Sequence, residues 1–165
     1  MPFYTTAVGI TDSINNQFST TYYDGEVMNL FGEISFDFSE NISLRAEGNI
    51  YKYTFYDSEI DRGPIKPWHK PSYDLTLSGS YNLREKIILQ TDLYFSGKRW
   101  ARNTASESPV ELDGFIDANL GLEYRYSKVL SGYLRFQNIF ANNYTRWSNY
   151  PVYGLQIFFG VTYAF

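Results

Sequence analysis

The last twelve residues of the chain, GLQIFFGVTYAF (154–165), carry the alternation that decides the fold. Every second residue, counted back from the end, is apolar or aromatic: Phe165, Tyr163, Val161, Phe159, Ile157 and Leu155. The residues between them are mostly small or polar. Because successive side chains of a strand point to opposite faces, this pattern predicts a strand with one apolar face. A long strand that ends on an aromatic residue is typical of the closing strand of a membrane β-barrel.

The composition is consistent with one β domain that meets a membrane. The 165 residues suffice for a single domain, which we place at 1–165. Aromatic residues make up 19%, with 16 Tyr and 13 Phe, which favours strands and a role at an interface. No apolar run of about 18 residues is present, which excludes a helical membrane span but not alternating barrel strands.

Charge and cysteine content exclude several classes of partner and site. The net charge is −4 and no basic patch is present, which argues against a nucleic-acid partner. The absence of cysteine excludes disulfides and thiolate metal sites. The first residues, MPFY (1–4), have neither a basic nor an apolar region, so we expect no signal peptide within the chain.

The same alternation recurs upstream and predicts eight strands, at 3–10, 27–39, 42–56, 73–81, 87–96, 116–126, 130–137 and 154–165. Short turns at 40–41, 84–85 and 127–128 alternate with long loops at 11–26, 57–71, 101–113 and 142–151. Most of these strands exceed the roughly 5 to 6 residues that are usual in soluble proteins. The sequence therefore predicts an all-β fold: an antiparallel up-and-down transmembrane β-barrel of eight strands, with short periplasmic turns and long extracellular loops.

The two faces of these strands predict a charged lumen and an aromatic girdle. We expect a lumen charge network of Glu33, Asp37, Arg45, Glu47, Asp74, Asp92, Asp117, Glu123, Arg125 and Arg135. Each arginine can bridge two carboxylates, which matters because unpaired buried charge is costly. Rings at the turn ends predict a girdle at the headgroup level, formed by Phe36, Phe38, Tyr81, Tyr124, Tyr126, Tyr163 and Phe165. A second row is predicted at the loop ends, from Tyr53, Phe55, Phe95, Trp100 and Phe140.

Several stretches together resemble a known family. The segments QNIFANNY (137–144), YPVYG (150–154) and GVTYAF (160–165) resemble the last hairpin of TonB-dependent outer-membrane receptors. The upstream segments WHKP (68–71), GKR (97–99) and LDGFIDANLGLEYRY (112–126) resemble the barrel ends of such receptors from Bacteroidetes-type bacteria. The resemblance covers most of the chain and implies a place in the bacterial outer membrane.

The resemblance implies only part of a receptor. The family also has an N-terminal plug, a TonB-contacting segment and a barrel of about 22 strands. We expect neither the plug nor the TonB-contacting segment within this chain, and Leu155 stands where the family often has arginine. The implied role is a structural, lipid-embedded barrel, with transport only if a plug and further strands complete it.

The expected partners follow from this role. They are the lipid bilayer or detergent, a further copy of the chain, and the barrel-assembly machinery. We expect Val161, Tyr163 and Phe165 to form a C-terminal insertion signal for that machinery. Two alternatives stay open: an independent small barrel of the OmpA or OmpX type, acting in adhesion or envelope anchoring, and a soluble ligand-binding β-barrel whose apolar face points inward.

The loops contain few residues that indicate a catalytic, metal or ligand site. His69 is the only histidine, and no matched acid–base set is evident, so we expect no enzyme activity and no cofactor. The carboxylates of the loops have two interpretations, as Ca²⁺ ligands or as solvated surface groups: Asp12, Asp24, Asp57, Glu59 and Asp61. Loop rings either bind a ligand or brace the rim: Tyr22, Tyr23, Trp100, Trp147 and Tyr150.

Overall fold

The computed structural model describes residues 2–6, 18–22, 24–56, 66–102 and 108–165, and these residues form strands and loops without a helix. The thirteen strands are β1 (Pro2–Thr6), β2 (Phe18–Tyr22), β3 (Asp24–Ser39), β4 (Ile42–Tyr56), β5 (Tyr73–Leu83), β6 (Ile87–Ser96), β7 (Arg99–Arg102), β8 (Pro109–Leu112), β9 (Phe115–Arg125), β10 (Leu130–Gln137), β11 (Thr145–Trp147), β12 (Tyr150–Pro151) and β13 (Gln156–Tyr163). In this part of the chain no helix is long and apolar enough to cross a membrane.

Seven of the strands form one antiparallel sheet in the order β13-β10-β9-β6-β5-β4-β3. Each strand pairs with the next long strand along the chain, as in an up-and-down barrel wall. The prediction of an all-β antiparallel fold is confirmed. Within the described residues β3 and β13 are the edges of the sheet, which is not closed there.

The three predicted short turns join consecutive strands at one end of the sheet, which we call the turn end; the opposite end is the loop end. At the β5–β6 turn both Arg84 and Glu85 have positive φ, 52° and 57°. Two successive residues in this conformation match the twist of a hairpin. The tight connections leave no room for extra structure at the turn end.

Three predicted loops contain strands instead. Of the expected first strand at 3–10, the structure describes residues up to Thr6, which belong to β1, and β1 pairs with β2. The predicted loop at 11–26 was wrong for β2 and for the beginning of β3. In the other two loops, β7 pairs with β8 and β11 with β12. These hairpins are too short for their alternation to stand out from the surrounding polar residues.

The apolar face of the large sheet is uncovered. Ile34, Phe159 and Val161 are 74%, 83% and 73% exposed. No second layer packs on this face within the described residues. Buried side chains lie instead at the loop end: Ser96, Arg99, Ala101, Phe115, Ala118 and Asn138.

Candidate functional site at the loop end

The loop end holds the best-packed group of side chains in the described chain. We call it the loop-end cluster and define it by the residues His69, Arg99, Phe115, Asn138, Asn142, Tyr144 and Trp147. They come from five segments: the loop before β5, β7, the beginning of β9, the loop after β10, and β11. The cluster therefore ties together chain segments that are far apart in sequence.

Arg99 is the centre of the cluster. The residue is 3% exposed, and its guanidinium donates hydrogen bonds of 3.1 Å to the carbonyl oxygens of Asp113, Thr145 and Arg146. The guanidinium carbon lies 4.7 Å from the centre of the Phe115 ring. Because burial disfavours the charged form, the pKa of Arg99 is lowered. The buried guanidinium contacts three carbonyl oxygens and one ring, and these contacts hold the β7–β8 hairpin against β11.

The Phe115 ring, which lies next to the Arg99 guanidinium, stacks on the Tyr144 ring. Their ring centres are 3.8 Å apart and their planes nearly parallel, at 7°. The Tyr144 hydroxyl donates a 2.7 Å hydrogen bond to Asp117 on β9. Burial, followed by this hydrogen bond, raises the pKa of Tyr144. The stack and the hydrogen bond hold the loop after β10 against the polar face of the sheet.

Asn138 shapes that same loop. The residue is 4% exposed and has a positive φ of 49°, which asparagine tolerates better than most residues. Its amide nitrogen donates 3.0 Å hydrogen bonds to the carbonyl oxygens of Asn142 and Tyr153. Asn142 in turn donates to the carbonyl oxygen of Ile116. One asparagine therefore closes the loop and joins its two ends.

His69 attaches the loop before β5 to the cluster. Its backbone N–H donates to the Trp100 carbonyl at 2.7 Å, and its ring centre lies 5.0 Å from that of Trp147. The backbone is left-handed there, with φ 57°. The Nδ1 atom is buried and has no hydrogen-bond partner among the described residues. Burial, and then the charge of Arg99, lower the pKa of His69.

A groove of about 470 Å³ opens beside the cluster. Its lining combines rings with carboxamides: Tyr73, Phe95, Phe115, Asn142, Asn143 and Tyr144. Such a surface can hold a ligand by stacking and hydrogen bonds. In the described ranges, no group of three or more His, Asp or Glu side chains could hold a metal ion.

Arg45 joins two of the predicted lumen carboxylates on the polar face. Glu33 and Glu47 lie directly opposite each other on β3 and β4. Arg45 is 3.2 Å from Glu33 and 2.8 Å from Glu47, so it bridges two like charges. These side chains are partly exposed, since the face is open in the described sheet.

The other predicted lumen charges have varied neighbours. Asp74 accepts a hydrogen bond from Asn49, Asp92 from Ser78, and Asp117 from Tyr144. Arg125 pairs with Glu123 at 3.0 Å, and Arg135 lies 5.4 Å from the Tyr133 ring centre. Asp37 lines a groove of about 380 Å³ together with Arg45 and Asp92. The structure brings these residues onto one face, and their role in a lumen stays a prediction.

The seven predicted girdle rings are exposed at the turn end, from Tyr81 at 38% to Phe38 at 71%, with the terminal Phe165 fully exposed. Phe36 contacts Phe38, and Tyr163 contacts Phe165. The predicted loop-end row of rings is different. Tyr53 and Phe55 share a face with Arg45 and Glu47, because positions two apart on β4 point the same way. Their assignment to the lipid-facing row was wrong.

Several loop candidates lie outside what the structure describes. Asp12, Tyr23, Asp57, Glu59 and Asp61 fall in the undescribed stretches, and only the backbone of Tyr22 and Asp24 is described. The other loop rings have different surroundings. Trp100 lies under the Lys66 ammonium group at 4.5 Å, while Trp147 and Tyr150 are 54% and 71% exposed.

Alternation did not identify Arg99, Phe115, Asn138 and Tyr144 as site residues, because each lies at or beyond the end of a long strand. A signal for them was nevertheless present. All four stand inside the stretches quoted for the receptor resemblance: GKR (97–99), LDGFIDANLGLEYRY (112–126) and QNIFANNY (137–144). The residues that carry the resemblance are therefore the ones that pack the loop end.

Comparisons with known proteins agree with that resemblance at the level of the fold. No family model and no curated protein sequence matches the chain. The ferric-catecholate import receptor Fiu from E. coli K12 superposes with a TM-score of 0.71 at 16% identity, over 93% of this chain and 23% of the receptor. The ferripyoverdine receptor of the Pseudomonas aeruginosa outer membrane gives 0.70 at 16% identity, over 94% of this chain and 22% of the receptor.

A third similar structure is the FrpB iron transporter from Neisseria meningitidis, with a TM-score of 0.65 at 18% identity, over 92% of this chain and 25% of the transporter. The chain thus spans about a quarter or less of the length of these proteins. These neighbours are TonB-dependent outer-membrane receptors, and at 16–18% identity the likeness to them is one of fold. The chain has the fold of a segment of such a receptor barrel.

Proposed function

We propose that this chain forms a lipid-embedded wall of an outer-membrane β-barrel of the TonB-dependent receptor type, with its loop end on the extracellular side. The uncovered apolar face of the seven-stranded sheet carries the proposal. An apolar surface this continuous is costly in water and favourable against acyl chains. The role is structural and not enzymatic; transport requires a plug and further barrel strands.

The unpaired edge strands β3 and β13 favour a barrel with more strands than the described sheet. In a bilayer every backbone N–H and C=O needs a partner, so β3 and β13 cannot stay unpaired. The similar receptors are about four times as long as this chain, which is long enough for further strands beside these edges. The seven strands are then one arc of a larger wall.

Closure into an eight-stranded barrel by this chain alone is the second form that the wall can take. The strand pair β1–β2 favours it, because a single residue separates β2 from β3, so the pair adds strand residues next to one edge of the seven-stranded sheet. An independent barrel of this size suits adhesion or envelope anchoring through its loops. Self-association of two copies through their edges is the remaining way to satisfy the backbone groups.

Within this wall the predicted site residues acquire their roles. The charged residues of the polar face form the lumen network, and the seven turn-end rings form the girdle at the headgroup level. Val161 and Tyr163 on β13, with Phe165 after it, present rings and a branched side chain on one exposed face. We assign them to recognition by the barrel-assembly machinery. The assignment to Bacteroidetes-type receptors also stays a prediction.

Folding into detergent or lipid tests the wall directly. After folding into detergent micelles, the chain should migrate differently on a gel before and after boiling, as folded barrels do. Its mass in detergent then separates a closed monomer from a paired one. A water-soluble, folded monomer without detergent would contradict the proposal.

Matched substitutions test the insertion signal. Tyr163→Ser should slow assembly into membranes that contain the barrel-assembly machinery, because it removes a ring from the exposed apolar face. Thr162→Ser, one residue away on the opposite face, should leave the rate unchanged. Equal rates for both variants would remove Tyr163 from the signal.

A further inference from the structure

Two buried polar atoms of the loop-end cluster lack partners and belong to cationic or protonatable groups. They are Nε of Arg99 and Nδ1 of His69, and neither has a hydrogen-bond partner among the described residues. Arg99 is already a buried charge, since its three acceptors are neutral carbonyls. The cluster therefore contains one uncompensated cation beside a histidine that is able to become another.

We propose that His69 is a pH-sensitive latch that holds the loop before β5 and the β11 segment onto the β7–β8 hairpin when neutral and releases them when protonated. The inference goes beyond the proposed function and does not depend on it, because it rests on the contacts of the loop-end cluster alone.

The segments that contact His69 carry cationic residues: Lys66 and Lys70 in its own loop, Arg99 and Arg102 on β7, and Arg146 on β11. The charge of Arg99 acts directly on the imidazole. The Lys66 ammonium lies over the Trp100 ring, and the Trp100 carbonyl accepts the His69 N–H. A protonated imidazole would thus lie near the positive charge of Arg99.

Two carboxylates, one on β8 and one on β9, have partners other than His69. Glu111 pairs with Lys98 at 3.1 Å, and Asp117 accepts the Tyr144 hydrogen bond. Asp113 meets Arg99 through its backbone carbonyl. None of the described carboxylates forms an ion pair with His69. Protonation would therefore give the closed cluster a buried donor without an acceptor and a charge without a counterion.

The sign of the effect follows from linkage. Closure lowers the pKa of His69 below its ordinary value of 6.5, so the open state binds the proton more tightly. The contribution of neutral His69 to closure is complete above pH 6.5. It falls as the pH drops through that value toward the lowered pKa of the closed state. The open-to-closed ratio can rise about tenfold for each unit by which closure lowers the pKa.

The chain is well suited to a direct test because it has a single histidine. We would fold the full chain into detergent micelles and follow the imidazole resonance by NMR between pH 8 and 5. Amide hydrogen exchange in residues 66–72, 99–102 and 144–147 would be measured at both ends of this range. We expect a midpoint below 6.5 and, after correction for intrinsic rates, exchange at least threefold faster at the low pH.

His69→Asn is the matched variant, because asparagine tolerates the left-handed backbone at this position and does not titrate. Its exchange should be independent of pH in these three segments. A wild-type midpoint at or above 6.5 would overturn the latch, whether or not the variant folds. Retention of the full pH response in a folded His69→Asn variant would overturn it as well.

Discussion

The two ends of the sheet are stabilised in opposite ways. At the loop end, Arg99, Phe115 and Asn138 are buried and tie loops together through specific hydrogen bonds and ring contacts. Toward the turn end, the strands carry exposed apolar side chains such as Phe36 and Tyr163, and no layer of protein covers them within the described ranges. If the chain forms the proposed membrane wall, the loop end holds itself together in water, while the rest of the sheet depends on the surrounding lipid.

A charge on the apolar face should have the largest effect on folding. Leu93 lies in mid-sheet between Leu77 and Ala118. Leu93→Arg should lower the free energy of unfolding in lipid vesicles by about 2–4 kcal/mol, because the guanidinium must then enter the bilayer. Denaturant titration of the folded chain in vesicles measures this.

Gln90→Arg is the matched control on the other face of the same strand, beside Asp92 in the polar groove. It should change the free energy of unfolding little. Similar losses from both variants would mean that the two faces meet the same environment.

Removing the guanidinium of Arg99 should loosen the loop end alone. Arg99→Met keeps an unbranched apolar stem against Phe115 but leaves the carbonyls of Asp113, Thr145 and Arg146 without their donor. We expect the free energy of local opening to fall by about 3 kcal/mol, since hydrogen bonds to charged groups are the strong ones. Hydrogen exchange in β7, β8 and β11 measures this loss, while exchange in β5 and β6 should not change.

The control is Arg135→Met, the same replacement at an exposed position that faces the Tyr133 ring. It should leave loop-end exchange as it is. If Arg135→Met opened the loop end as strongly as Arg99→Met, the cluster would not be centred on Arg99.

A smaller effect is expected from a methyl group at Gly114. A Cβ there would lie 2.6 Å from the backbone oxygen of Ser96, which cannot move without shifting β6. Gly114→Ala should therefore destabilise the loop end by about 1–3 kcal/mol, the usual range for overpacking. Gly154→Ala places its methyl in open space and should cost much less. Equal exchange rates in the two variants would argue against close packing around Gly114.

The smallest effect is expected at the Arg45 bridge. Arg45 has 52% of its side chain exposed, and exposed ion pairs contribute little. Arg45→Gln should lower the free energy of unfolding by about 0.5 kcal/mol, chiefly because Glu33 and Glu47 remain opposite each other. A loss of several kcal/mol in the same denaturant titration would mean that the lumen network is buried in the folded protein.

The long strands could be predicted from the sequence because their alternation is a local property. The patterns around Leu44, Leu77 and Leu134 each run for several residues and need no knowledge of the neighbouring strand. The short hairpins were missed for the opposite reason. β7 and β8 have only four residues each, and their pairing is set by contacts such as that of Arg99 with β11.

The candidate site was harder to predict because it depends on contacts between distant segments. Nothing local to Phe115 indicates that Tyr144 will stack on it. The wrong assignment of Tyr53 and Phe55 has a simpler cause, since the type of a side chain does not decide its face, whereas its position along β4 does. Counting by twos from Arg45 would have placed both rings on the polar face.

The most direct test is to measure how accessible labels on the two faces of the sheet are to oxygen and to a water-soluble nickel chelate. The chain contains no cysteine, so each engineered thiol can carry a unique nitroxide label. Labels would be placed by Leu120→Cys, Leu134→Cys and Ile157→Cys on one face, and by Glu123→Cys and Arg135→Cys on the other. In lipid vesicles we predict that the first set collides with oxygen and the second with a water-soluble nickel chelate. Contact of the nickel chelate with the leucine and isoleucine positions, and protection of Glu123 and Arg135, would contradict the central claim.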